Sequence, residues 1–258
     1  MTWPPDLAPE RIAALLETRR YGRSLDVRGQ TGSTNDDARA AAEIGAPAGH
    51  VVLADRQSAG RGSRGRLWES PGGTDLYFSI VERVALPPER LPPLTLAVGL
   101  GVARAVDALV AGAGARVKWP NDVWLDERKC AGILVEAATR GSRADALVIG
   151  IGINVNRTDL APELSATSLA LAAHGTIDRA IALARALGEI ELAVDELVQH
   201  GPARVVRAVA ERLALLGERV RVEGSEGILE GLAADATLQL RTSDGRMLSV
   251  RSGSVQRA

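Results

Sequence analysis

Lysine is almost missing from this chain of 258 residues. The sequence holds 31 basic residues, and only Lys118 and Lys129 among them are lysines. A chain that uses arginine wherever a positive charge suffices keeps lysine where a site needs a compact ammonium, which the planar arginine fork does not imitate. The segment that contains both lysines is therefore a candidate functional site. Chance also places two lysines this close together, so the residues around them must decide.

Cysteine and histidine are also scarce. The single cysteine, Cys130, excludes an internal disulfide bond and is typical of a reducing compartment. We expect it to be a buried small residue between strands and not a nucleophile. The three histidines, His50, His174 and His200, have no metal-ligand or triad spacing, so no protein-bound metal site is predicted.

Long apolar runs and a strong net charge are absent as well. No uncharged apolar stretch reaches the 18 residues of a membrane span. The N-terminal segment has prolines and acids where a signal peptide has its apolar run, so a cytoplasmic protein without membrane contact is expected. The net charge of -1 argues against a dedicated nucleic-acid binder. The hydrophobic fraction of 46% is that of an ordinary globular protein.

Hydrophobic periodicity and turn residues predict a mixed α/β fold followed by a β-rich tail. Helices are predicted over residues 9–20, from a capping box at 33–36 to about 44, over 94–110, and over 177–215 with an interruption at Gly201-Pro202. Strands are predicted over 50–55, 76–81, 116–119, 123–125, 130–137 and 146–154. Four short strands, 219–223, 227–232, 237–241 and 247–250, predict a small all-β barrel. The predicted domains are residues 1–216 and 217–258.

The segment Gly60-Arg61-Gly62-Ser63-Arg64-Gly65 matches the G-x-G-x-x-G pattern of dinucleotide-binding folds. That interpretation requires a helix opening within the motif, and residues 66–73 contain a proline and two glycines that do not suit one. A flexible loop whose arginines bind phosphate oxygens is the better functional interpretation. Taken alone, the segment is equally compatible with a solvated surface loop.

Four segments in order carry a much more specific signal. They are Gly32–Asn35, the stretch Gln57–Pro71, Lys118-Trp119-Pro120-Asn121-Asp122, and Arg128–Glu136, and they are followed by Gly150–Asn156. Together they closely resemble the biotin–protein ligases from about residue 30 to the C-terminus. The resemblance implies a mixed-sheet catalytic domain of the class II aminoacyl-tRNA synthetase type, followed by a small SH3-like β-barrel. Trp68 and Trp119 are expected to be packing residues.

The resemblance implies an activity and its partners. Such enzymes make biotinyl-5′-adenylate from biotin and Mg²⁺-ATP and then transfer biotin to one lysine of a carrier domain in a biotin-dependent carboxylase. The ureido ring of biotin is neutral and needs both donors and acceptors. By resemblance it would be bound by Ser33, Thr34, Asn35 and Gln57, and the loop that covers biotin and its adenylate would contain Arg61, Gly62 and Ser63.

The remaining assignments concern charge, because a carboxylate must attack a phosphate and two anions repel. By resemblance, Lys129 would contact the biotin carboxylate or the acyl-phosphate, while Lys118 and Arg66 would hold phosphate. Asp122 would orient the acceptor lysine. Gly132 would let the backbone approach the ligand, and Asn154 would serve the nucleotide or metal side.

Two alternatives stay open at the level of sequence. A lipoate–protein ligase uses a similar acyl-adenylate on a related fold, and an inactive domain would bind biotin only as a sensor. Only 32 residues precede Ser33, too few for the N-terminal DNA-binding domain of some family members, so no DNA partner is expected. A monomer or a weak homodimer is expected.

The loop departs from the family pattern at Ser63, where the family commonly has arginine. Because that arginine would help to retain the adenylate, we expect Ser63→Arg to slow its release. The dissociation rate of biotinyl-adenylate from both proteins measures this, and equal rates would dismiss the idea.

Overall fold

The computed structural model describes residues 4–83, 91–140, 143–161 and 165–258. Its helices are α1 (Pro9–Leu15), α2 (Thr34–Glu43), α3 (Leu91–Leu109), α4 (Leu169–Ala173), α5 (Arg179–His200) and α6 (Pro202–Ala210). Its first seven strands are β1 (Leu25–Thr31), β2 (Val51–Gln57), β3 (Leu76–Glu82), β4 (Arg116–Lys118), β5 (Asp122–Leu125), β6 (Arg128–Arg140) and β7 (Arg143–Ile153). The later strands are β8 (Arg219–Val222), β9 (Ser225–Leu232), β10 (Leu238–Arg241), β11 (Met247–Val250) and β12 (Gln256–Arg257).

The first seven strands form one mixed sheet in the order β1-β2-β3-β7-β6-β5-β4. β1 pairs in parallel with β2, and the other neighbours pair antiparallel. The long β6–β7 hairpin lies near the middle of the sheet, and the antiparallel pairing of β7 with β3 joins it to the first three strands. This arrangement confirms the predicted mixed α/β class.

The two faces of the sheet are covered differently. Helix α2 packs on one face, where Ala38 and Ala42 contact a small cluster that includes Val52, Val81 and Val148. The other face carries the larger core, to which α3, α5 and α6 contribute buried residues. Helix α3 is long and apolar enough to cross a membrane by length and composition alone, but it is 67% buried among these elements, as a core helix is. Side chains alternate between the faces of a strand, so only half of each central strand faces α2.

The last five strands form an antiparallel sheet in the order β11-β10-β9-β8-β12. The tail is therefore β-rich, as the sequence indicates, and the pairing adds a strand, β12, that the sequence did not suggest. The indole N–H of the buried Trp119 donates to the carbonyl of Ala236 at 3.0 Å, and Arg257 forms an ion pair with Glu127. Trp119 is thus buried and hydrogen-bonded to the turn before β10, in agreement with its expected packing role.

The helix expected over residues 9–20 is wrong in length, because α1 ends at Leu15. The backbone N–H groups of Arg19, Arg20 and Tyr21 donate instead to the carboxylate of Glu191, at 2.7, 2.8 and 3.1 Å. A carboxylate on α5, 170 residues away or more in sequence, therefore satisfies the donors that a longer helix would have used.

Three further expectations differ from the structure. Ser33 precedes α2 but its side chain makes no capping hydrogen bond, so the capping box is wrong. The final helix ends at Ala210 and not near residue 215. The residues after it pair with Val117 of β4 instead: the Val117 N–H donates to Arg212 O, and the Val117 carbonyl accepts from the N–H of Ala214. Strand β1 and helix α4 were not predicted. β1 is an edge strand with only one buried residue, Val27, so its apolar alternation is weak.

Gly101 lies where α3 closely approaches α5. A Cβ built on it would lie 2.6 Å from Ile190 Cα and 2.7 Å from Ile190 N. We expect Gly101→Ala to destabilise the protein by about 1–3 kcal/mol through overpacking, measured by chemical denaturation. Gly188 on α5 is the matched control, since its Cβ would meet nothing within 4 Å. Gly188→Ala should be neutral or stabilising by up to about 1 kcal/mol, and an equal loss in both variants would contradict this account.

Candidate functional site

Glycines form the floor of a cavity on the α2 face of the sheet. The strand register places Lys118, Asp122, Gly132 and Gly152 next to one another across β4, β5, β6 and β7. Directly paired residues point to the same face of a sheet, so two charged side chains and two glycines share one row. Lys118 and Asp122 lie on β4 and β5, near the edge of the sheet, and the two glycines lie on β6 and β7, nearer the middle of the sheet.

The indole of Trp68 lies on this floor. A Cβ at Gly152 would come within 2.4 Å of Trp68 Cε2, and one at Gly132 within 2.8 Å of Trp68 Cζ3. Any larger residue at either position would collide with the ring. The Trp68 side chain takes up so much of the space that the cavity volume is about 40 Å³, room for only a few water molecules.

Most of the predicted binding residues meet at this cavity. Its lining includes Ser33, Thr34, Asn35, Gln57, Arg61, Gly62, Ser63, Lys129 and Gly132. These residues come from the start of α2, the end of β2, the glycine-arginine loop and β6. The sequence therefore identified residues that the fold brings together from four separate segments.

One wall of the cavity is polar and internally hydrogen-bonded. Gln57 Oε1 accepts from the backbone N–H of Thr34 at 2.9 Å and lies 3.1 Å from the Thr34 hydroxyl oxygen. Ser79, fully buried on β3, lies 2.8 Å from the Thr34 hydroxyl and 2.6 Å from the Asn35 side-chain oxygen. Sequence reasoning missed Ser79, although a lone serine inside the apolar run of β3 was a signal that a polar group is needed there.

The opposite end of the cavity is cationic. Lys129 Nζ lies 2.6 Å from Asp122 Oδ1 and 5.0 Å from the centre of the Trp68 ring. Lys118 Nζ lies 4.9 Å from the centre of the Trp124 ring. Burial lowers the pKa of Lys118, and the positive charges of Lys129 and Arg66 lower it further, while Asp122 opposes the shift. The structure thus concentrates both lysines of the chain at one end of the site.

The loop arginines differ in their partners. Arg61 forms a two-pronged ion pair with Asp36, with N–O distances of 2.6 and 2.7 Å, and Arg64 pairs with Glu223 at 2.6 Å. Arg66 donates only to Ser63, at 3.3–3.4 Å, and within the described parts of the chain it has no carboxylate partner. Of the three, Arg66 is therefore the guanidinium most available to an anion.

Four of the predicted site residues do not line the cavity itself: Lys118, Arg66, Asp122 and Asn154. The first three are close enough for their charges to act on one another. Asn154 is buried just after β7, and its side chain donates to Thr167 O at 3.0 Å, so it holds the segment before α4 in place. Asn121 and Gly150 do line the cavity, and sequence reasoning had not assigned them a role.

Cys130 and His50 are titratable groups that do not line this cavity. Burial raises the pKa of the Cys130 thiol to about 12, which suits a packing residue. His50 Nδ1 lies 2.8 Å from the Ser24 hydroxyl, outside the cavity. Across residues 4–83, 91–140, 143–161 and 165–258, no three His, Cys, Asp or Glu side chains are grouped to hold a metal ion.

Comparison with known proteins gives consistent relatives. Residues 30–154 match the model of the biotin/lipoate A/B protein ligase family. The chain is 36% identical over 242 residues to the biotin–[acetyl-CoA-carboxylase] ligase of Mycobacterium tuberculosis, covering 90% of this chain and 88% of that protein. It is 34% identical over 251 residues to the bifunctional ligase/repressor BirA of Bacillus spizizenii, covering 94% and 77%. The fold is similar to that of the biotin protein ligase from Aquifex aeolicus in complex with biotin and ATP, with a TM-score of 0.81, 30% identity and coverage of 92% and 100%.

The presence of only two lysines makes the charge of Lys118 directly measurable. In NMR spectra of the protein labelled with ¹³C at lysine, we expect two side-chain signals. The signal that disappears in Lys129→Arg belongs to Lys129, and the remaining one belongs to Lys118. We expect Lys118 to titrate below its ordinary pKa of 10.5, and Asp122→Asn to lower that pKa further, because it removes the one nearby charge that favours the ammonium. An unchanged or raised pKa in the Asp122 variant would contradict this electrostatic account.

Proposed function

The chain belongs to the biotin–protein ligase family, and from this premise we propose that it is an ATP-dependent biotin–protein ligase. It activates biotin to biotinyl-5′-adenylate and transfers the biotinyl group to a lysine of the biotin carboxyl carrier domain of a carboxylase. The observation that carries the proposal is the polarity of one cavity, which runs from a neutral hydrogen-bonding wall across a glycine floor to Lys129. Lys118 lies beyond the cavity, in the same row of paired residues as the glycines.

This polarity matches the two ends of biotin. The ureido ring is neutral and both donates and accepts, as do Thr34, Asn35 and Gln57. The carboxylate lies at the far end of a flexible chain, where Lys129 supplies a positive charge. The glycine floor lets the ligand lie against the strand backbone once the Trp68 side chain has moved. Ser33 at the start of α2 completes the polar end.

In the first half-reaction, a carboxylate oxygen of biotin attacks the α-phosphorus of ATP. A bond forms between the carboxylate oxygen and the α-phosphorus, and the bond from that phosphorus to the oxygen bridging the α- and β-phosphates breaks. Mg²⁺ enters with ATP as part of the substrate and leaves with pyrophosphate. Lys129, Lys118 and Arg66 counter the repulsion between the anions, and positioning supplies most of the remaining rate. The loop residues Gly62 and Ser63 cover the adenylate.

In the second half-reaction, the neutral amine of the acceptor lysine attacks the acyl carbon, an amide forms and AMP leaves. Asp122 orients that amine and stabilises the positive charge that develops on its nitrogen, which then loses a proton to solvent. Its ion pair with Lys129 at 2.6 Å supports this role, because it places the carboxylate beside the group assigned to the acyl-phosphate. Asn154 acts on the nucleotide side, where it fixes the segment that leads to α4.

Three further proposals follow from the sequence. Residues 217–258 form a distinct SH3-like domain beside a catalytic domain of residues 1–216, and the antiparallel sheet of five strands supports this. The partner is a biotin carboxyl carrier protein or domain. The protein works in the cytoplasm, as its single cysteine suggests.

A lipoate–protein ligase is the second candidate, because the matching family model covers both activities. The Lys118-Trp119-Pro120-Asn121-Asp122 block and the glycine-arginine loop favour biotin. The exchange of labelled pyrophosphate into ATP, measured once with biotin and once with lipoate, separates the two candidates. A ligase should catalyse this exchange only with the acid that it activates. Exchange with lipoate alone would overturn the biotin assignment.

Lys129→Arg tests whether the site needs an ammonium. We expect biotin-dependent pyrophosphate exchange in the natural protein and a loss of about 100-fold in the variant, because a guanidinium does not fit between Asp122, Trp68 and Gly132. The matched control is Arg128→Lys, which makes the reverse change at the adjacent exposed position and should retain exchange. Full activity of Lys129→Arg would show that charge alone suffices.

A further inference from the structure

The side-chain amide of Asn35 is engaged at both ends. Its Nδ2 donates to Glu136 Oε2 at 2.6 Å, and its Oδ1 accepts from the Ser79 hydroxyl at 2.6 Å. Asn35 is 4% exposed, and a Cβ on Gly150 would lie only 2.1 Å from Asn35 Oδ1. The amide is therefore enclosed by the strand below it and by a partner on each side.

Only one of these partners decides which way the amide faces. A serine hydroxyl can donate or accept, so Ser79 is compatible with either end of the amide. An ionised carboxylate only accepts, so Glu136 requires the NH₂ group and excludes the oxygen. A reversed Asn35 would place two oxygens in contact inside a buried wall, where an unmatched polar pair is costly.

The same choice passes along the wall. With Asn35 Oδ1 facing Ser79, the single proton of the serine hydroxyl is committed to that oxygen, so Ser79 Oγ can only accept from the Thr34 hydroxyl, which lies 2.8 Å away. Gln57 Oε1 accepts from the backbone N–H of Thr34 at 2.9 Å. Gln57 then donates through Nε2 to the Ser70 hydroxyl at 2.9 Å. The orientation of Asn35 thus sets the direction in which the Ser79 and Thr34 hydroxyls donate, and the backbone of Thr34 sets the orientation of Gln57.

Both ends of the loop are attached to this wall. Glu136 Oε2 also lies 3.4 Å from Nη2 of Arg61, which begins the loop, and 3.2 Å from Nη2 of Arg39. At the other end, Ser70 donates to Trp68 O at 3.0 Å. The carboxylate of Glu136 is thus shared between the cavity wall and the first arginine of the loop.

We infer that Glu136 is a positioning residue that fixes the donor and acceptor pattern presented to the ureido ring, and that it acts through Asn35. The inference rests on the proposed function, because it gives the polar wall the ureido ring as its ligand. Ser79 relays this orientation to Thr34. Neither residue needs to touch biotin, which distinguishes them from Asn35 and Gln57.

A double-mutant cycle tests whether Glu136 acts through Asn35. Biotin Kd is measured by calorimetry on the full chain for the natural protein, Glu136→Gln, Asn35→Ala and the double variant. Because glutamine presents either an oxygen or an NH₂ group, Asn35 can reverse, and we expect Kd to rise about tenfold in the single Glu136 variant. In the Asn35→Ala background the same change should alter Kd by less than about twofold.

Asp36→Asn is the matched control. It weakens the other carboxylate contact of Arg61 but leaves both partners of Asn35 in place. Any effect of this change on Kd should therefore be the same with and without Asn35. Ser79→Ala, measured in the same cycle, provides a second non-additive pair if Glu136→Gln does not fold. The KM for ATP should change less than twofold in each Glu136 variant.

Two results would overturn the inference: a Kd within twofold of the natural value in Glu136→Gln, or an equal rise in both backgrounds. The second would show that Glu136 only holds the loop or the fold. If the natural protein binds biotin but does not catalyse pyrophosphate exchange, the proposed ligase activity is wrong, whereas the double-mutant cycle on biotin Kd can still be interpreted. If the natural protein does not bind biotin, both the proposed function and the inference about Glu136 are wrong.

Discussion

The close approach of side chains to the backbone of β6 and β7 is the constraint on which the site depends. Glycine at positions 132, 150 and 152 leaves no Cβ on the α2 face of these strands, so Trp68 and Asn35 can contact the backbone directly. A methyl group at any of these positions would require a shift of the ring or of the amide. The floor therefore determines how near the first turn of α2 can lie and where a flat ligand can be accommodated.

Charge increases along the glycine floor from the α2 end to the β4–β5 end. The α2 end presents neutral hydroxyls and amides, and the β4–β5 end presents Lys118, Asp122 and Lys129. Two arginines beside the site are held by carboxylates, Arg61 by Asp36 and Arg64 by Glu223. Lys118 lies in the same row as the glycines, beyond Asp122. A Cβ built on Gly132 would lie 3.1 Å from Lys129 Nζ, where a compact ammonium fits better than a planar fork.

Much of the site was predictable because its residues lie in short segments with distinctive composition. The glycine-arginine loop and the segment with both lysines led to residues such as Gln57, Arg61 and Lys129, and the fold brings them to one cavity. Ser79 belongs to none of the recognised segments, and although its hydroxyl in an apolar strand indicated a polar partner, only the packing of α2 on the sheet shows that this partner is Asn35. Glu136 lay inside a recognised segment, but only the strand register shows that its side chain faces the cavity wall.

The fold shows the same division between local and distant causes. The apolar period of α3 and the turn at Gly201-Pro202 are local, and both predictions were confirmed. The end of α1 depends on Glu191, and the end of α6 depends on pairing with Val117, so neither could be read from neighbouring residues. Sequence periodicity reports what a segment can form alone, whereas a distant carboxylate or strand decides where it stops.

The attachment of the loop follows from the strength of these contacts. Its two ends join a buried network through Arg61 and Ser70, whereas its middle is held by the ion pair of Arg64 with Glu223, whose side chains are 45% and 54% exposed. An exposed pair of this kind contributes about 0–1 kcal/mol, which a phosphate bound by the same guanidinium would readily exceed. The loop thus has fixed ends and a weakly held middle, and this arrangement supports the role proposed for it as a cover over the adenylate.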